Sequence, residues 1–319
     1  DYAQAAASVS HDGEGLYGAR FIASCIAQAF CERDIYQVVE RALEEIPSES
    51  LYAQVSRAVI AHHQKHPEDW ESCLKMLHRD WGYDKYGGVC HIIPNAGVCV
   101  LALVYGAGDF NRTVEIATMC GWDTDCNAGN VGTILGVLTG LDGIADHYRA
   151  PVNDGVVLSG ISGYLNILDL PTYSKELART GYALAGEEIP EILKETDGEL
   201  HFDFELPGST HNFRTSDSFF LPLRHSEERA FQGRGSLEVL VDRMIRGNRA
   251  RIYYKPFYTR ADFSDERYKP VFSPQVYSGQ TLEMQVFFDQ WAGWDSIFVS
   301  PYFRTMSDQK IHTHGFLKI

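Results

Sequence analysis

Apolar residues recur at three- and four-residue spacing through most of residues 1–198, the period at which a helix turns one face inward. The run L-Y-G-A-R-F-I-A-S-C-I-A-Q-A-F, Leu16–Phe30, shows it first. The same spacing predicts helices over Ile35–Ile46, Leu51–His63, Glu68–Trp81, Pro94–Tyr105 and Phe110–Gly121. Pro47 suits a stop after the second of these, and Pro67 suits the first position of a helix. Short helices are expected at Ser174–Arg179 and Glu187–Lys194. After Leu200 the period shifts toward two. The segments H-F-D-F-E-L, G-S-L-E-V-L-V, A-R-I-Y-Y-K-P-F-Y, T-L-E-M-Q-V-F-F, S-I-F-V-S-P-Y-F and H-T-H-G-F-L-K-I read as strands, divided by turn signals at R-G-N and Y-S-G-Q. The pattern predicts a multi-domain chain: an all-α domain over 1–198 and an all-β, jelly-roll-like antiparallel sandwich over 199–319.

Charge agrees with this division. The chain has 319 residues and a net charge of −15. Up to Glu199 it carries 13 basic and 29 acidic side chains, and beyond it 15 and 14. An acidic first part and a neutral second part argue against a nucleic-acid partner, so Arg246, Arg249 and Arg251 are expected on a solvated strand face. All seven cysteines lie at or before Cys126 and none has C-x-x-C spacing. That usage argues against a disulfide framework or a zinc site and favours a reduced, cytoplasmic setting. No run is long and apolar enough to predict a membrane partner.

The chemistry concentrates in G-W-D-T-D-C-N-A-G-N-V-G-T-I-L-G, Gly121–Gly136. Asp123 and Asp125 stand just ahead of a helical pattern, where two carboxylates can supply a magnesium ion with oxygen ligands. The competing reading is that one of them simply caps the helix. Gly132, Gly136 and Gly140 then recur every fourth residue, predicting a bare helical stripe for close backbone approach and an acidic loop buried against other helices.

This segment resembles the C-terminal signature of the ADP-ribosylglycohydrolases, G-x-D-T-D-[TC]-x-A followed by spaced small residues. Upstream, A-A-A-S-V-S-H-D-G-E-G and H-I-I-P-N-A-G-V-C-V-L-A-L resemble cleft-lining stretches of the same family, and the likeness covers roughly residues 1–145. It implies an all-α domain, two divalent ions (normally magnesium, with manganese as the alternative) and hydrolysis of the glycosidic bond joining ADP-ribose to a protein side chain or small acceptor. It places metal on Asp123 and Asp125 and substrate near His11, Gly121, His91 and Asn95. Two departures stand out. Cys126 occupies a position where the family often has a threonine ligand, and a soft thiol is expected to pack rather than bind magnesium. The family's T-D-D cluster and N-terminal glutamate have no counterpart, so the chain is expected to lack part of its active site, as if the start of the domain had been cut away; Glu14, near His11, carries no catalytic mark.

The second domain resembles sugar-binding modules in outline only. Trp291 and Trp294, with Tyr253 and Tyr254, are candidates for stacking on a carbohydrate partner, against the alternative that such aromatics fill the core. His62, His63, His66 and His78 are expected to be solvated. A glycosidase acting on another N- or O-glycoside and a non-catalytic binding protein on the same scaffold remain alternatives.

Overall fold

The computed structural model describes residues 1–194, 200–262, 270–288 and 296–318. Two compact units emerge, Asp1–Pro151 and Val152–Ile319. The change of composition near residue 198 falls later, among residues outside those described, so the switch in periodicity and the division of contacts do not coincide.

The first unit is helical: α1 (Tyr2–Ala7), α2 (Glu14–Ala29), α3 (Ile35–Glu44), α4 (Leu51–Lys65), α5 (Trp70–Trp81), α6 (Ile92–Gly106), α7 (Phe110–Met119), α8 (Thr124–Thr139) and α9 (Asp146–Val152). Every residue of α6 from Ile93 to Gly106 is buried, as expected of a helix apolar on all sides. It packs against α2, α3, α4, α5, α7 and α8 and forms the axis of the unit. Side-chain caps start the surrounding helices: Asp34 accepts from Tyr36 N, Ser50 from Ala53 N, Asp69 from Ser72 N and Asp109 from Arg112 N. The α5 start therefore follows Asp69, whose carboxylate satisfies an orphan N–H, and not Pro67. A further cap arrives from another helix. The Glu14 carboxylate of α2 accepts Leu51 N and Tyr52 N, both at 2.9 Å, at the head of α4.

Glycines permit close approach, but not where the stripe predicts it. A Cβ at Gly106 would lie 1.9 Å from Thr113 Oγ1, and one at Gly97 would lie 2.7 Å from Leu77. At Gly132 and Gly136 the nearest atoms would be 3.7 and 3.8 Å away, ordinary contacts, while Gly140 caps the C-terminus of α8 at φ +69°. Two of the four singled-out histidines are built into the unit rather than solvated. His62 Nδ1 lies 3.1 Å from the Tyr105 hydroxyl, and His63 meets the Tyr105 ring edge-on at 4.7 Å. His66 and His78 are exposed.

The second unit opens with β1 (Gly155–Val157) antiparallel to β2 (Ile167–Asp169), followed by α10 (Leu170–Ala185), far longer than the helix expected at Ser174–Arg179. Asp169 caps it through Thr172 N at 3.0 Å, and Gly186 ends it in the left-handed region. Within Glu187–Lys194 only a 3-10 turn forms, Glu191–Leu193. Short strands follow: β3 (Arg214–Thr215), β4 (Leu223–Ser226), β5 (Ser236–Val239), β6 (Ile252–Tyr253), β7 (Phe298–Val299), β8 (Tyr302–Arg304), β9 (Ile311–Thr313) and β10 (Leu317–Lys318). They pair as β3 with β6, β4 with β5, β8 with β9 and β7 with β10, so four separate two-stranded sheets stand where the sandwich was expected among the described residues, and the β1–β2 ladder lies within the stretch expected to be all-α. Alternation specifies which way side chains point, not which strand lies alongside. H-F-D-F-E-L and T-L-E-M-Q-V-F-F form no ladder, and Leu282, Met284 and Phe287 of the latter are exposed. Both predicted turns do form, with Asn248 N donating to Ile245 O and Gln280 N to Tyr277 O. Arg246, Arg249 and Arg251 are exposed.

Candidate functional site

Asp123 sits in the left-handed region at φ 44° and ψ 54°, immediately before α8, and its side chain makes no capping hydrogen bond. The capping explanation of this carboxylate therefore fails. Gly121, at φ 73°, is exposed and contributes the bend of the backbone leaving α7. Between them, Trp122 is held by two rings and a backbone contact: the His78 and Tyr83 rings lie 4.3 and 4.9 Å away, and the Trp122 carbonyl accepts the buried Asn127 amide at 2.7 Å. Cys99 of α6 donates in turn to Asn127 Oδ1 at 3.4 Å. The loop is thus anchored from α5, α6 and α8.

Asn95 reaches Asp123 from the first turns of α6. Its Nδ2 donates to Asp123 Oδ2 at 2.6 Å, and its Oδ1 accepts the Tyr83 hydroxyl. Burial pushes the Tyr83 phenol up to about 12, with neighbouring acidic groups adding to the shift, so it stays a protonated donor at neutral pH. Asn95 is itself buried and fully engaged, and the structure gives it Asp123 to hold.

The donor atoms of Asp123, Asp125 and Cys126 lie within 4.8 Å of one another. Asp123 is half-buried and the other two are exposed, so the acidic loop opens to solvent instead of being covered by helices. Cys126 likewise does not pack away. Its hydrogen bond with Asp123 and that residue's charge raise its pKa, keeping it a thiol. Two converging carboxylates, one of them free of any capping bond, fit a hard divalent cation; the thiol beside them is a poorer match for magnesium.

Beside this group lies a cleft of about 670 Å³ lined by Ser10, His11, Gly15, Cys90, His91 and Ile92, among others. His11 is exposed, with Nδ1 2.8 Å from Ser10 Oγ. His91 caps α6 by accepting Ile93 N at 3.3 Å and stacks on Tyr86, with ring centroids 4.6 Å apart and planes 14° from parallel. Cys90 links cleft and acidic group, because it lines the cleft while its carbonyl lies 3.5 Å from Asn95 Nδ2. The structure thus gathers His11 and His91 into one cleft and Asn95, Asp123 and Asp125 into one adjoining cluster. Glu14 serves α4 as its cap.

Trp291 and Trp294 lie outside the described residues. Tyr254 packs on Phe202 and Phe213 at 4.8 and 5.8 Å and donates its hydroxyl to Gln275, which is an interior role, while Tyr253 sits in β6 opposite Arg214. Sequence reading missed Tyr83, Trp122 and Cys90. Trp122 is flanked by glycine and aspartate, a hint of an anchored loop, whereas nothing local marks Tyr83.

A family model described as ADP-ribosylglycohydrolase matches residues 1–177. Neither the curated proteins nor the solved structures contain a match.

Proposed function

The chain belongs to the ADP-ribosylglycohydrolase family, a family of hydrolases, and from that premise we propose that it acts on the glycosidic bond of ADP-ribose attached to a protein side chain or small acceptor, with magnesium or manganese as cofactor. The observation that carries the metal part is the convergence of Asp123 and Asp125 with the Asp123 side chain withheld from capping α8. These two carboxylates would hold the cation. When bound, the ion supplies Lewis-acid polarisation of sugar oxygens and a site for an attacking water. The chain's own part is orientation. His11, on an exposed edge of the cleft, offers an imidazole N–H to a ribose hydroxyl or phosphate oxygen. The His91 ring, braced from behind by its stack on Tyr86, gives the cleft a flat surface against which a sugar or base can rest. Tyr83 packs on Trp122, the residue before Asp123, and so braces the loop that carries this carboxylate.

Calorimetric titration of magnesium and of manganese, with and without ADP-ribose, tests this reading on wild type, Asp123→Ala and Asp125→Ala. The expected result is binding that ADP-ribose strengthens and that both substitutions abolish. Absence of metal binding by the wild-type chain would remove the metal-dependent reading.

A further inference from the structure

We propose that Asn95 and Tyr83 are positioning residues for Asp123: the Tyr83 hydroxyl orients the Asn95 amide, and that amide ties down one oxygen of Asp123 so that the other is presented to the cation. The inference rests on the reading that Asp123 and Asp125 hold a divalent ion.

Donor and acceptor chemistry fixes the direction of this relay. The Asp123 carboxylate and the Cys90 carbonyl can only accept, at 2.6 and 3.5 Å, so the Asn95 nitrogen must face both. Its oxygen is then left to the Tyr83 hydroxyl, which donates to it. Asn95 cannot swing away, because it is 8% exposed in the first turns of a helix buried along nearly its whole length. Tyr83 is held in its turn by its tilted contact with Trp122, the neighbour of Asp123 in the chain. Asp123 has no capping bond to orient its side chain, and its φ of 44° is one that non-glycine residues adopt rarely. The amide therefore supplies an orientation that the helix terminus does not. A neutral donor also suits the task better than a basic residue. It fixes the carboxylate without neutralising it, whereas a lysine or arginine would compete with the metal for the same charge. Outer partners of this kind commonly set ligand geometry at metal sites.

The test is calorimetric titration of magnesium alone, repeated with manganese alone, on the full chain. Wild type is compared with Asn95→Ala, Tyr83→Phe and Asp34→Ala, and the thermal midpoint of each metal-free protein is recorded. Asn95→Ala is expected to weaken affinity about 10- to 100-fold, the usual loss for an outer-shell partner. Tyr83→Phe keeps the ring on Trp122, removes only the hydroxyl, and is expected to give a smaller loss in the same direction; it keeps the proposal testable should Asn95→Ala fail to fold. Asp34→Ala removes the cap of α3, away from the acidic cluster, and is expected to lower the midpoint while leaving affinity unchanged. Wild-type affinity in both Asn95→Ala and Tyr83→Phe, with binding still abolished by Asp123→Ala, would overturn this inference and leave the proposed function standing. So would an Asp34→Ala variant that loses as much affinity as Asn95→Ala, since destabilisation alone would then account for the effect. A wild-type chain that binds neither ion would overturn both.

Discussion

In the unit Asp1–Pro151 the buried set is overwhelmingly apolar, from Phe21 in α2 through the whole of α6 to Leu138 in α8. In the unit Val152–Ile319 the buried hydrophobic side chains among the described residues are Ile167 and Leu221, and beside them Asn166, Asp169, Ser209, His211 and Asn212 are buried too. Apolar burial is non-directional and scales with area, so a helix such as α6 is stabilised by any well-packed neighbour. Buried polar groups stabilise only through particular partners at particular distances. The contrast shows one chain holding itself together in two ways, one tolerant of small shifts and one dependent on them.

His211 is the clearest case of the second kind. Its Nδ1 lies 2.9 Å from Asp169 Oδ1, its Nε2 lies 3.6 Å from Asp203 Oδ1, and Lys175 pairs with Asp203. Phe202 and Phe204 pack edge-on against the imidazole. Burial favours the neutral histidine, but the hydrogen bonds and charges of Asp169 and Asp203 outweigh it and raise the pKa. Burial likewise pushes both carboxylates up, and the His211 contacts, with Lys175 and Thr172, bring them below the ordinary range.

The sharpest way to break the comparison is His211→Leu, which leaves the buried Asp169 and the half-buried Asp203 each short of one partner. It is expected to destabilise the second unit by about 3–5 kcal/mol, the usual cost of breaking a buried ion pair. Amide hydrogen exchange over the peptides around α10 and β4 checks it, and unchanged protection there would count against the network. The same group predicts a pH window. The His211 contribution is complete below its ordinary value of 6.5 and is lost as pH rises through its raised pKa. The carboxylate contributions are complete above 3.8 and are lost as pH falls through their lowered values. Protection of the second unit should therefore peak between those limits, and the peak should flatten in His211→Leu.

Core substitution probes the other side. Leu101→Ala in α6, at a fully buried position, is expected to cost about 2–5 kcal/mol in the first unit, measured by urea unfolding, and to leave protection in the second unit unaltered. Glu14→Ala removes the acceptor shared by Leu51 N and Tyr52 N and should cost about 1 kcal/mol, with fraying confined to the start of α4. The smallest expected effect is a gain. A methyl group at Gly129 meets nothing within 4 Å, so Gly129→Ala should stabilise α8 by up to about 1 kcal/mol. Gly106→Ala, which drives a methyl into Thr113, should be destabilising. Equal effects at the two glycines would show that α6 and α7 are less tightly apposed than these distances require.

Sequence by itself determined α2 to α8 nearly to their ends, though not α9, because an apolar stripe at helical spacing and an aspartate or serine cap are local properties. It also pointed to Asp123 and Asp125, through residue types whose chemistry does not depend on context, and to His11 and His91 through the family resemblance. The tertiary structure alone decided which way those groups face. Nothing near residue 123 foretells that Asn95 holds its carboxylate or that Tyr83 holds Asn95, since each contact joins separate elements. The same holds for Glu14, a capping residue supplied by a helix remote in sequence. In the second unit the limit is reached sooner. Alternation marks a strand but not its partner, and a buried histidine flanked by carboxylates that lie 42 residues and, across a shorter loop, 8 residues before it exists only once the chain has folded around it.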